Sequence, residues 1–135
     1  MKKFLSPIFL GLFAFFLVPT TSFGYAGISV GGESMSLTPG IWDVSKDFLT
    51  SSGEVRACVR NVTSSSNRFT IDAYESDGDY GGLTKLGVFD LQGDQKCVSF
   101  YGVVADGTNN KAEVFFRLGR ATESDSFVTL DVYED

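Results

Sequence analysis

Carboxylates crowd one short stretch of this 135-residue chain: Glu75, Asp77 and Asp79 lie within five residues, Glu75 leading into a Gly-rich Ser76–Gly82 loop that holds the other two. Closely spaced carboxylates on a flexible loop can hold Ca²⁺, so Asp77 and Asp79 are the candidate calcium ligands. The twelve-position EF-hand loop is absent, with no Glu at its closing position, and Asp and Gly favour turns on their own account. A carboxylate pair is also the equipment of a glycosidase, but a domain this small offers little room for a deep substrate cleft. The chain has no His. That removes the commonest general base and a common metal ligand, and with them the ordinary Ser triad. No catalytic residue and no cofactor is therefore expected. Asn61-Val62-Thr63 matches an N-glycosylation acceptor, although a turn explains Asn and Thr equally well.

The remaining reactive groups are Cys58 and Cys97. What they do depends on the compartment, and the first residues address that. Lys2 and Lys3 are followed by an apolar run from Phe4 to Val18, then by small and polar residues ending in Gly24-Tyr25-Ala26. This order is that of a secretory signal peptide. Its uninterrupted apolar part, Ile8 to Val18, is 11 residues, against the roughly 20 of a membrane span. Cleavage is expected after Ala26, with Gly24 as the nearest alternative. No Cys stands at the cleavage site for lipid attachment, and no twin Arg precedes the apolar run. The expected organisation is a signal peptide, 1–26, and one domain, 27–135, in the periplasm, outside the cell or on its surface. Losing Lys2 and Lys3 leaves nine basic against 17 acidic residues. A net-acidic surface argues against nucleic acid and anionic membranes as partners.

In an exported domain, two cysteines most simply form one disulfide. They have no Cys-x-x-Cys spacing and no His to activate a thiol, so a structural staple is expected rather than a redox site.

The elements that carry these residues read as strands throughout. Short β-branched and aromatic runs alternate with Gly, Asn, Asp and Ser clusters. Strands are expected at 28–37, broken by Gly31-Gly32, and at 54–61, 68–75, 83–91, 95–105, 111–119 and 126–133. The stretch Ile41–Ser52 is left as a short helical or irregular turn. Period-two alternation assigns the core faces: Val55, Ala57 and Val59; Phe69, Ile71 and Ala73; Ala112, Val114, Phe116 and Leu118; Val128, Leu130 and Val132. The other face of each strand is expected to be wet. Seven or eight such strands imply an all-β antiparallel sandwich.

Ser36-Leu37-Thr38-Pro39-Gly40, then Gly53 to Asn61 leading into a Thr/Ser turn, and Gly93 to Phe100 resemble the immunoglobulin-like modules of bacterial secreted proteins. The stretch Ile41–Ser52 is an insertion relative to them. The resemblance implies an immunoglobulin-like order in which the second and fifth main strands are neighbours. It thereby implies a cross-strand Cys58–Cys97 bridge on an outer face, closing a loop worth about 4 kcal/mol. It also implies that the third, sixth and seventh main strands share a sheet. Tyr74, Phe115, Phe127 and Tyr133 would then form one exposed aromatic patch, the candidate interface. The alternation of Phe127–Tyr133, with Gly119 upstream, is similar to the terminal strand of chaperone–usher pilins, and Gly27–Leu37 would be the donated strand.

The expectation is a secreted, non-enzymatic structural or interaction protein, such as a subunit of an extracellular filament or surface matrix. Its partners would be protein subunits, including copies of itself. The alternative is a ligand-binding module for carbohydrate or a surface receptor, using the same aromatics to stack on sugars.

Overall fold

The computed structural model describes residues 27–51, 53–77, 82–106 and 109–135. The expected signal peptide lies outside them. The described residues are all β, with no helix. They form β1 (Ile28–Leu37), β2 (Asp43–Val44), β3 (Phe48–Thr50), β4 (Gly53–Arg60), β5 (Arg68–Asp77), β6 (Gly82–Gln92), β7 (Lys96–Val103), β8 (Ala112–Gly119) and β9 (Asp125–Glu134). Two antiparallel sheets result. One is four-stranded, ordered β1-β9-β4-β7; the other is five-stranded, ordered β2-β8-β5-β6 with β3 also on β8.

Alternation explains the core. All thirteen inward residues named from the sequence on β4, β5, β8 and β9 are buried. They interlock with Leu37, Phe48 and Phe100. The Phe116 ring is the hinge of this packing, 5.7 Å from Phe100 and 5.9 Å from Phe48. Removing such a side chain from water contributes about 1.5–3 kcal/mol.

Three expectations need correction. First, Ile41–Ser52 is not helical: it supplies β2 and β3, which pair with β8 through Asp43 opposite Leu118 and Phe48 opposite Val114. Burying Phe48 under the sandwich is what draws this stretch onto the sheet. Second, Gly31-Gly32 does not break β1, which runs unbroken past a bulge between Ser29 and Gly31. Gly31 takes φ +136, a conformation side-chain-bearing residues rarely adopt, and a Cβ on Gly32 would stand 2.8 Å from Asp131 Oδ1. The glycines therefore admit the neighbouring strand. Third, β9 does not join β5 and β8. It sits between β1 and β4, bonded on both sides. Alternation places Val128, Leu130 and Val132 inward in either sheet, so it cannot choose between them.

The loops at one end interlock. Buried Asn67 donates from Nδ2 to the Glu123 carbonyl at 3.1 Å, and its Oδ1 accepts from Glu123 N at 3.1 Å. Asp125 Oδ2 accepts from Thr63 N at 2.8 Å, and Asp94 Oδ1 from Val62 N at 3.0 Å. These bonds fix the chain where it leaves β8, and so set the position of Arg120.

Candidate functional site

The outer face of the five-stranded sheet carries a cluster of charged and aromatic side chains. On β5, Thr70, Asp72 and Tyr74 point outward; on β8, Gly119, Arg117 and Phe115 stand opposite them. Asp72 is only 2% exposed. A carboxylate so far from water needs a fixed countercharge, and Arg117 supplies it through two contacts: Nε to Oδ1 at 3.0 Å and Nη2 to Oδ2 at 2.6 Å. The same Nη2 donates to the Tyr74 hydroxyl at 3.0 Å.

The Arg117 guanidinium is also clasped between rings, 4.6 Å from the centre of Trp42 and 5.0 Å from that of Tyr74. Such contacts add about 0.5–2 kcal/mol each. The Asp72 hydrogen bond, outweighing the cost of burial, raises the Arg117 pKa above its ordinary value. Tyr74 stacks on Phe115 at 5.4 Å with planes 16° apart, and Lys85 lies 5.9 Å above Tyr74. Trp42 reaches Arg117 because residue 119 is Gly: a Cβ there would stand 2.4 Å from the indole.

Next to this clasp, where β5, β6 and β8 converge on the interlocked loops, a groove of about 410 Å³ is lined by Arg68, Thr70, Asp90, Gln92 and Arg120, among others. Thr70 donates to Asp90 at 2.7 Å and Arg68 Nε to Gln92 Oε1 at 3.3 Å. Arg120 lies over the Trp42 ring at 5.9 Å, which joins the groove to the clasp.

The sequence model of a family described as the YndA coiled coil domain matches residues 29–131. The chain belongs to this family. No curated protein matches it. The matched span runs from β1 into β9, and among its described residues there is strand but no helix. The architecture of this YndA-family chain is therefore a β-sandwich and not the coiled coil of the family's description.

The four aromatic residues expected to make one patch are divided in this YndA-family chain. Tyr74 and Phe115 are stacked within the clasp, while Phe127 and Tyr133 lie on β9 in the other sheet. Phe127 is 78% exposed and isolated from them. The sheet assignment of β9 is the reason. The clasp also changes the expectation of a wet outer face, because Thr70 and Asp72 are buried there.

Cys58 and Cys97 are disulfide-bonded. They face each other directly on β4 and β7, on the outer side of the four-stranded sheet. Cys58 is nevertheless fully buried, since Asp131 stands beside it on β9 and pairs with Arg60. Pointing away from the core is thus not the same as meeting water.

The calcium candidates lie largely beyond what is described: Asp79 is outside the described residues, and Asp77 is seen only as the end of β5. Glu75 is buried and accepts from Val104 N at 3.2 Å. Among the described residues, no group of three or more His, Cys, Asp or Glu could hold a metal ion. In the Asn61-Val62-Thr63 triplet, Asn61 Nδ2 donates to Thr129 Oγ1 at 2.9 Å and Thr63 Oγ1 to Asp125 at 3.1 Å. Both side chains thus have structural bonds. No described helix is long and apolar enough to cross a membrane.

Sequence reasoning missed Trp42, Asp72, Arg117 and Arg120. Trp42, the one Trp of the chain, sits in the stretch read as an irregular turn. Opposite charges on the outer faces of 68–75 and 111–119 were a usable signal, but only once those two strands are known to be neighbours.

Proposed function

We propose that this protein is an exported, non-enzymatic recognition module. It works as a single folded copy and takes its ligand on the outer face of the five-stranded sheet. One observation favours this over a strand-exchanging filament subunit: β1 pairs along its length with β9 of the same chain, from Ile28 opposite Glu134 to Leu37 opposite Asp125. The sandwich is complete without a strand from a neighbour, which removes the driving force for strand donation. The surface at Trp42, Tyr74, Arg117 and the adjoining groove supports a binding role, since it sets aromatic faces beside fixed cations.

The test is the mass of the exported chain by size exclusion with light scattering, followed by negative-stain microscopy. A monodisperse monomer is expected. Filaments or ordered polymers at physiological salt would overturn the module reading. The filament reading keeps one specific support. β6 ends the five-stranded sheet and exposes Leu83, Val88 and Phe89, and an exposed apolar edge strand is a template for pairing with another chain. Polymers abolished by Val88→Lys would establish that reading.

A further inference from the structure

We propose that the groove between Arg68 and Arg120 is a carbohydrate subsite for a singly charged acidic sugar, a uronate. This inference rests on the reading of the chain as a recognition module and names the ligand class of that surface.

Charge gives the first argument. The chain carries 17 acidic against 11 basic residues, net −6, so its overall field repels anions. Yet two guanidinium groups line one groove. Arg60 pairs with Asp131 and Arg117 with Asp72; Arg68 and Arg120 are in neither pair. Guanidinium matches a carboxylate in planar, two-pronged geometry.

The groove's own carboxylate narrows the ligand. Asp90 leaves the groove with two positive charges and one negative. That balance suits a singly charged carboxylate better than a doubly charged phosphate. Asp90, Thr70 and Gln92 also present oxygen acceptors, which a ligand with several hydroxyl donors would satisfy. At about 410 Å³ the groove lies within the range of small-molecule sites.

The backbone supplies a clean variant. Arg120 has φ +51, positive like that of Asn61, Gln95 and Asn110, in a region that Gly enters without steric cost. Replacing Arg120 by Gly therefore separates binding from folding, because it relieves the backbone while removing the cation.

The experiment is calorimetric titration of the exported chain with trigalacturonate, with its sulfated analogue and with neutral maltotriose. Trigalacturonate is expected to bind, and to bind more weakly as salt rises. Arg68→Gln and Arg120→Gly should each weaken it about tenfold or more, with the thermal midpoint of Arg120→Gly unchanged or raised. Equal binding of maltotriose, unaffected by either substitution, would overturn the charge assignment while leaving the module standing. Preference for the sulfated sugar would overturn the carboxylate assignment. A monomer that binds none of the three would overturn the inference as a whole, whereas polymers in the light-scattering test would remove the reading beneath it.

Discussion

On the four-stranded sheet the outward residues of β4 and β7 meet as a covalent bond, Cys58 to Cys97. On the five-stranded sheet those of β5 and β8 meet as an ion pair held between rings, Asp72 to Arg117 with Trp42 and Tyr74. Both links join adjacent strands, and both hide a group that faces outward: Cys58 and Asp72 are buried. They act on different states of the chain. The disulfide restricts the unfolded ensemble and needs an oxidising compartment to form. The ion pair exists only when folding brings two strands and an irregular segment together, and its strength comes from the exclusion of water. The disulfide consumes both of the side chains that form it. The ionic link instead sets its cation beside the rings of Trp42 and Tyr74, and the proposed binding surface adjoins it.

Four substitutions sharpen this contrast, in descending order of effect. Replacing Cys58 and Cys97 together by Ala should cost about 4 kcal/mol, read as a lower urea midpoint. Reductant should reproduce the loss in the unmodified chain and do nothing to the variant. Arg117→Ala should cost about 3 kcal/mol, because it strands the buried Asp72 carboxylate. Adding Asp72→Ala to that variant should recover part of the loss, and a double-mutant cycle that showed no coupling would remove the clasp from the comparison.

Gly119→Ala is next, at about 2 kcal/mol, since the new Cβ would collide with the indole. The chain has one Trp, so fluorescence reports on this face alone. A shift in emission is expected from Gly119→Ala and none from the cysteine pair. Arg60→Ala should cost least, about 0.5 kcal/mol, because its pair with Asp131 is solvent-exposed and weak. A loss there equal to that of Arg117→Ala would erase the distinction between the two faces.

The parts of the structure legible in the sequence are those governed by local period. Strand bounds such as 68–75 and 83–91 fall within two residues of β5 and β6, and the core face of each was readable because side chains alternate with period two. The cysteine pairing was readable from parity, since two cysteines allow one pair. The site was not readable, because its members come from segments of different character. Asp72, Tyr74 and Arg117 lie on well-formed strands, whereas Trp42 and Arg120 lie just outside them.

By itself, then, the sequence determined an all-β chain, the inward face of each main strand and a single possible disulfide. Only the tertiary structure decided which strands are neighbours. Alternation says which way a side chain points from its own strand and carries no information about the strand beside it. The placement of β9 between β1 and β4 separated Phe127 and Tyr133 from Tyr74 and Phe115. The pairing of β2 and β3 with β8 brought Trp42 over Gly119 and onto Arg117. Non-local pairing is selected by the total apolar surface a topology buries, and that sum exists only once the whole chain has folded.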